Sequence, residues 1–418
     1  MKLKVAELFA GVGGFRVGLN KITEFDKTTG KAIENGPWEF VYANQWEPST
    51  RIQHAFDCYA TRFETNNASN VDITKVDKNE IPDHSLLVGG FPCQDYSVAR
   101  SLSKESGIEG KKGVLFWEIK DVLKTKNTNF VLLENVDRLL KSPASRRGRD
   151  FAIMLKTFFE LGYNVTWRTI NAAEYHMPQK RTRVFIFAWK RDTKYNKKFQ
   201  NKELDIDLLK SSLFNKEFKV DEFYNINHCS INSYKSVLDI SDNYSQGSFL
   251  KTGIMIDGLI IQADVSVKKN EIYSLGQLME ENRIYFDNEY TKYIVPLEKL
   301  EKWKYLKGNK KIERISKDGH KYLYSEGAMS FPENLDAPGR TMLTSEGTLN
   351  RSSHIVFDNN INQYRILSEV ECEALQMFPP NWTNTMPSKK RYFMMGNALV
   401  TGIIKRLSDP LIKIIKNE

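Results

Sequence analysis

A cysteine and a glutamate each follow a stretch that reads as a buried strand, and a cluster of cations follows a proline-marked turn between two further strands. Leu86-Leu87-Val88 is apolar and runs into Gly89-Gly90-Phe91-Pro92-Cys93-Gln94-Asp95-Tyr96-Ser97. That order describes a strand that stops abruptly and presents a thiol at its carboxyl end. Phe130-Val131-Leu132-Leu133 is a second such run and ends in Glu134-Asn135-Val136. His176-Met177-Pro178-Gln179 is a proline-marked turn followed by Lys180, Arg181 and Arg183. In open α/β sheets ligands bind beyond the carboxyl ends of the strands, so thiol, acid and cations can converge in one pocket. A thiolate there would be a nucleophile if its surroundings lower its pKa. The blander readings are a buried free cysteine, which behaves as a small hydrophobe, and a solvated basic loop.

The elements that must position these groups can be read in order. Residues 3–9 form a first strand, followed by Ala10-Gly11-Val12-Gly13-Gly14-Phe15-Arg16, a glycine-rich turn that opens a helix. Such a turn offers backbone N–H groups to an anion, or lets a ligand approach the main chain closely. Arg16 stands where a third glycine of GxGxxG would be, which disfavours a nicotinamide dehydrogenase. Residues 39–43 are a second strand, ending in Asn44-Gln45-Trp46-Glu47-Pro48. In nucleoside-binding folds this position supplies an acid for the ribose hydroxyls. Gln45 and Glu47 are both candidates, and Trp46 offers a flat face to an adenine. Residues 49–63 are helical in pattern, and Asp72-Ile73-Thr74 lies in a loop. Residues 95–113 read as a long basic loop, 114–124 and 150–161 as helices, and 164–170 and 183–189 as further strands.

After residue 190 the alternation of strand and helix stops. Residues 191–355 are rich in lysine and asparagine, with short aromatic strands, and read as a second domain of small strands and long loops. Within it, residues 338–347 carry strand and turn residues. Residues 368–377 read as a helix with a capping box, Ser368 lying three before Glu371. Met395-Gly396-Asn397-Ala398 then precedes a helix to about residue 407.

Bulk composition bounds the class. The chain has 418 residues, 41% hydrophobic and 27% charged, as in a soluble globular protein. No apolar run reaches the roughly 20 residues that span a bilayer, no signal peptide is visible, and no membrane partner is expected. The expected location is the cytoplasm. The net charge of +9 suits a polyanionic partner such as nucleic acid. Cys58, Cys93, Cys229 and Cys372 form no CxxC pair, and His228-Cys229 is the only adjacent pair of soft ligands, so neither a metal site nor a disulfide scaffold is expected.

Taken together and in this order, the segments Phe9 to Gly14, Asn44 to Glu47, Gly90 to Gln94, Glu134 to Val136, Gln179 to Arg183, Arg365 to Pro379 and Gly396 to Ala398 resemble the cytosine-5 DNA methyltransferase family. The likeness covers residues 1–190 and 360–410. It implies an α/β fold: the Rossmann-like S-adenosylmethionine-dependent methyltransferase sheet, mixed and mostly parallel, with helices on both faces. A smaller, irregular β-rich target-recognition domain accompanies it. Residues 1–190 would be the catalytic and cofactor-binding domain, 191–360 the recognition domain, and 361–418 a segment returning to complete the first.

The resemblance also assigns roles. Cys93 would add to cytosine C6 so that C5 attacks the methyl donor, S-adenosylmethionine, leaving S-adenosylhomocysteine. Glu134 would be the acid at N3 and the exocyclic amine. Arg183 would hold the O2 side of the base, with Arg181 acting nearby. Cofactor contacts fall on Phe9, Ala10, Gly11, Gly13, Gly14, Gln45, Trp46, Glu47, Asp72, Ile73, Pro92, Leu115, Asn397 and Ala398. The family often has Glu where this chain has Gln45, and a neutral amide is the weaker acceptor. DNA contacts fall on Gln94, Ser97, Arg100, Gln179, Arg340, Thr344, Thr348 and Arg351. The partners implied are double-stranded DNA, its target base flipped out, and a separately encoded restriction endonuclease in the bacterial cytoplasm. Two alternatives stand beside this. One is the tRNA-methylating branch of the family, whose Cys-Phe-Thr signature is absent here. The other is a catalytically silent DNA-binding relative, against which the presence of Cys93, Glu134 and Arg183 argues.

Overall fold

Strands that read as unbroken apolar runs must be covered on both faces, and the first wing of the sheet is built that way. The structure, a computed structural model, describes residues 2–48, 50–91, 115–268, 271–286, 290–316 and 319–418. Pro92, Cys93, Gln94, Ser97 and Arg100, with the whole expected loop 95–113, lie outside the described residues. The strands β1 (Lys4–Leu8), β2 (Glu39–Asn44), β3 (Ala68–Ser69), β4 (Leu86–Gly90) and β5 (Phe130–Val136) pair in parallel in the order β3-β2-β1-β4-β5. Successive residues alternate between two cores. Val5, Leu86, Val88, Phe130 and Leu132 enter one, and Ala6, Leu8, Leu87, Val131 and Leu133 the other.

Helices complete both layers. The labelled ones are α1 (Gly14–Leu19), α2 (His54–Arg62), α3 (Phe116–Lys126), α4 (Arg149–Glu160), α5 (Glu369–Leu375), α6 (Ser388–Asn397) and α7 (Thr401–Lys416). Phe15 and Leu19 of α1 join Ile403, Ile404 and Leu407 of α7 in the first core. The two helices touch closely, since a Cβ on Gly18 would lie 2.5 Å from Ile404. Phe116 and Ile119 of α3 and Phe151 and Leu155 of α4 fill the second core. The last 60 or so residues thus return to cover β1. The expected capping box forms, with Ser368 and Glu371 bonded reciprocally at the start of α5. The expected helix 49–63 is shorter, because its start is set by Gln53 as N-cap and by the Glu47 carboxylate accepting from the Ala55 N–H at 3.0 Å.

Beyond β5 the sheet turns mixed. β6 (Tyr163–Asn171) and β7 (Thr182–Lys190) enter as an antiparallel pair, with β7 beside β5. The chain after residue 190 does not leave the sheet. β8 (Glu222–Ser230), β9 (Thr252–Ile256) and β10 (Leu259–Ser266) extend it past β6, giving ten strands. A boundary at residue 190 therefore falls inside a continuous ladder. The physical reason is the apolar pair of strands β9 and β10, together with Gly253, which leaves room for the Trp167 indole where a Cβ would sit 2.2 Å away. Only later do two small antiparallel sheets appear outside it, the hairpins β11 (Lys310–Ile315)–β12 (Lys321–Glu326) and β13 (Ile355–Asp358)–β14 (Gln363–Ile366). Residues 338–343 form no strand beyond an isolated bridge from Gly339 to Gln179, and 344–347 are a turn.

One buried acid sits under the turn after β1. Glu7 is 0% exposed, receives the Tyr59 hydroxyl at 3.4 Å, and has no partner for Oε1 among the described residues. Burial pushes its pKa from 4.5 up to about 8, against the opposing charge of Arg16. A folded-state pKa above the unfolded one means stability that is complete below about pH 4.5 and is lost as pH rises towards 8. Replacing the acid with an amide removes that loss. Urea unfolding of Glu7→Gln should therefore show a flatter stability profile between pH 5 and 8, the wild type losing on the order of a few kcal/mol more over that span. Parallel profiles would exclude a titrating Glu7.

Candidate active site

The strand order reverses direction between β1 and β4, and the crevice beyond their carboxyl ends is where such sheets bind ligands. β1 runs into the glycine turn there. β4 ends at Gly90, three residues before Cys93. β5 lies beside β4 with Glu134 opposite Gly90. Gly90 matters for what it lacks. A Cβ at this position would be 3.1 Å from Glu134 Oε2, so the carboxylate leans across the bare end of β4.

Because β7 is antiparallel to β5, its first residues lie at the same edge, with Arg183 opposite Val136. Arg183 Nε pairs with Glu134 Oε1 at 3.1 Å, and Arg183 Nη1 donates to the Thr182 carbonyl at 2.7 Å. The two side chains are only 16% and 13% exposed. Burial raises the pKa of Glu134, and the charges of Arg183 and Arg181 oppose that rise. The result is a carboxyl group able to hold a proton or give one up, with a cation beside it, at the end of the strand leading to the thiol.

Asn135 fixes the approach to that thiol. Its Nδ2 donates to the Phe91 carbonyl at 3.0 Å, and its Oδ1 accepts the Val136 N–H at 2.8 Å. Nothing in the sequence pattern singled out Asn135 beyond its place next to Glu134.

Two expected contact residues have other work. Gln179 and Arg181 are 0% and 1% exposed, so neither faces DNA or base. Gln179 donates to the Leu375 carbonyl at 3.2 Å and accepts the Met342 N–H at 3.1 Å. Arg181 donates to the Met342 and Gly396 carbonyls, both at 3.0 Å. Burial and the neighbouring charge of Arg183 press its pKa downward, while the Glu134 charge acts the other way. Together they tie the turn before β7 to the 339–344 segment and to the end of α6.

Arg340 and Arg351 are likewise engaged within the chain. Arg340 forms a two-nitrogen pair with Glu333 at 2.8 and 2.7 Å, and Arg351 pairs with Glu326 at 2.6 Å. Thr348 Oγ1 donates to the Ser345 carbonyl at 2.6 Å. Thr344 is exposed beside Gly396, whose missing Cβ would lie 2.4 Å from the Thr344 nitrogen.

On the other side of the crevice the expected cofactor residues divide. Gly11 takes φ +57°, and a Cβ there would meet nothing within 4 Å, so its surroundings are open. Gly13 and Gly14 serve packing instead, with Cβ positions 2.6 Å from Phe63 and 3.2 Å from Leu399. Phe9 is also left-handed, at φ 57°, and Ala10 is buried. Gln45 Oε1 accepts the Gly11 N–H at 2.7 Å, so that oxygen shapes the turn. Glu47 gives Oε2 to the start of α2 and keeps Oε1 clear of hydrogen bonds among the described residues. Trp46 is 37% exposed at the end of β2. Asp72 caps a short turn through the Thr74 N–H, Ile73 is buried, and Leu115 is half-buried against the second core. Asn397 is exposed and Ala398 half-buried after Gly396. An open glycine beside an uncovered indole fits the amino-acid and adenine ends of S-adenosylmethionine. Among the described residues no cluster of three His, Cys, Asp or Glu side chains could hold a metal ion.

The parallel wing, the glycine turn at its reversal point and the antiparallel β7 define an S-adenosylmethionine-dependent methyltransferase fold. Solved structures agree: the S. pombe Dnmt2 methyltransferase superposes with a TM-score of 0.58 at 16% identity over 98% of both chains. The Entamoeba histolytica methyltransferase EhMeth gives a TM-score of 0.56 at 13% identity. Residues 3–413 match the C-5 cytosine-specific DNA methylase family, and the chain belongs to it. It is a DNA (cytosine-5) methyltransferase. The type II methyltransferase M.Sau3AI of Staphylococcus aureus is 48% identical over 99% of this chain and 96% of its own. The type II methyltransferase M.HhaI of Haemophilus parahaemolyticus is 33% identical over 46% of this chain and 50% of its own.

The Asn135 contact yields a direct test. In Asn135→Ala the Phe91 carbonyl loses its donor and the residues before Cys93 lose their anchor. Turnover should fall about tenfold or more while the dissociation constant for S-adenosylmethionine changes little, because an active-site group displaced by about 1 Å can cost roughly a hundredfold. Steady-state kinetics and calorimetric cofactor titration would separate the two, and an unchanged turnover would remove the anchoring role.

Proposed function

We propose that Cys93 is the nucleophile, Glu134 the proton-bearing group at the base, and Arg183 the residue that holds both Glu134 and the base. The observation that carries this is the Glu134 carboxylate lying over Gly90, paired with Arg183 at 3.1 Å, at the end of the strand that leads to Cys93. The Cys93 thiolate would add to C6 of a flipped cytosine, making C5 electron-rich. S-adenosylmethionine, when bound, supplies a methyl group on a sulfonium centre. Glu134 would meet N3 and the exocyclic amine as electron density builds on the ring, its burial favouring the protonated form. Loss of the C5 proton then expels Cys93. Flipping costs about a few kcal/mol of stacking and pairing.

For the cofactor, Gly11 would lie along the methionine part and Trp46 on the adenine. Glu47 Oε1 rather than Gln45 would accept from the ribose, since Gln45 Oε1 already holds the Gly11 N–H. The substrate would be duplex DNA in the bacterial cytoplasm, and residues 271–355 would form the main recognition lobe. The full-length likeness to a type II methyltransferase supports a role as the modification half of a restriction–modification system, with a separately encoded endonuclease as companion. It also favours DNA over tRNA as the acceptor.

Bisulfite sequencing of DNA from cells expressing the wild type should show 5-methylcytosine at one short sequence. Cys93→Ser should abolish that signal with cofactor binding retained, and Glu134→Gln should cut turnover by about a hundredfold or more, as loss of a positioned general acid does. Full methylation by Cys93→Ser would exclude the thiol mechanism.

A further inference from the structure

Four of the five arginines between residues 271 and 365 are neutralised inside the recognition lobe. Arg283 pairs with Glu280 and Asp358, Arg340 with Glu333, Arg351 with Glu326, and Arg365 with Asp358 and Glu371. Arg314 is the exception. It is exposed, makes no ion pair among the described residues, and has its guanidinium stacked on the Tyr324 ring at 3.7 Å.

We propose that the β11–β12 hairpin is the base-reading ribbon of this enzyme, entering the DNA major groove so that Arg314 reads a guanine. This rests on the DNA-methyltransferase reading and names the specificity element within it. A free two-stranded hairpin is marginally stable in water, and a ribbon left bare on both faces is suited to a partner that covers it. Here both strands are exposed along most of their length. Each has six residues, so the ribbon is about 20 Å long. The major groove, about 12 Å wide, admits a two-stranded β-ribbon.

The root of the hairpin is tied down by charge pairs and hydrogen bonds. Glu326 Oε2 receives Arg351 at 2.6 Å and Lys310 at 3.6 Å, and Arg351 also donates to the carbonyls of Leu306 and Gly327. Arg351 belongs to the turn run that begins at Thr344, two residues after Met342, whose carbonyl accepts from Arg181. The ribbon is thereby indexed to the catalytic crevice. Register places Arg314 opposite Tyr322 and Ile312 opposite Tyr324, so these four share one face. The stack on Tyr324 holds the planar fork ready, which reduces the entropy lost when it forms two bonds. Guanine O6 and N7 are the base edge that such a fork matches best. Lys311 and Lys321 on the other face supply charge towards phosphates.

The test uses the full-length enzyme and its own methylated sequence, mapped first by bisulfite sequencing. Duplexes carrying each single base-pair change are then methylated by wild type, Arg314→Ala and Arg314→Lys. Arg314 is exposed, so folding should be unaffected, and calorimetric S-adenosylmethionine titration checks this. The expected result is a drop in kcat/KM of about tenfold to a hundredfold for Arg314→Ala on the native site. The penalty for changing one particular G·C pair should vanish in that variant, and lysine should fail to restore it. A discrimination profile identical to wild type at every position would overturn the proposal while leaving the methyltransferase reading intact. A wild type that methylates no cytosine in DNA would instead overturn that reading, and this proposal with it.

Discussion

The Glu134–Arg183 pair depends on one choice of topology, and the site depends on the pair. β7 enters the sheet antiparallel to β5, which brings an amino-terminal residue, Arg183, to the edge where the parallel strands end. A cation from the start of a strand therefore meets an acid from the end of another without a long connecting loop. Neither side chain is open to much solvent, so the field of the arginine acts on the carboxylate with little screening. The same low polarity raises the pKa of the acid. The two effects oppose each other at Glu134, burial raising its pKa and the arginine charges resisting that rise. Gly90 completes the constraint, because any side chain there would push against that carboxylate.

A second set of bonds ties the start of β7 to segments far along the chain. Gln179 and Arg181 stand just before β7, yet their side chains are spent on backbone carbonyls and an N–H of distant segments. A buried guanidinium without its own carboxylate is costly unless its N–H groups are satisfied, and two carbonyls do part of that work.

Much of this was legible in the sequence. Apolar runs ending in glycine or in a polar group located β1, β2, β4 and β5, because strands buried on both faces leave little else to see. The capping box at Ser368 was legible because both partners lie within one turn. The position of Glu134 at the end of β5, and of Gly90 at the end of the strand before Cys93, was legible from apolar runs that stop at these residues. What escaped was pairing across long stretches of chain. Arg181 meets carbonyls 161 and 215 residues away. Arg340 and Arg351 looked like DNA contacts by residue type, yet Glu333 and Glu326 had already claimed them. Gln45 and Glu47 were equal candidates for a ribose in the sequence, and the Gln45 bond to the Gly11 N–H, 34 residues away, was not visible there. The continuation of the sheet into β8, β9 and β10 was hidden for a similar reason, since strand partners there are not neighbours in sequence.

The proposed chemistry turns on a covalent bond between Cys93 and the target cytosine. A duplex in which that cytosine carries fluorine at C5 would test it most directly, because fluorine cannot leave as a proton does and the adduct should persist. After incubation with S-adenosylmethionine and proteolysis, mass spectrometry should find one nucleotide-bearing peptide, modified at Cys93. An adduct at Cys58, Cys229 or Cys372, or no adduct from enzyme that methylates ordinary duplex, would contradict the account.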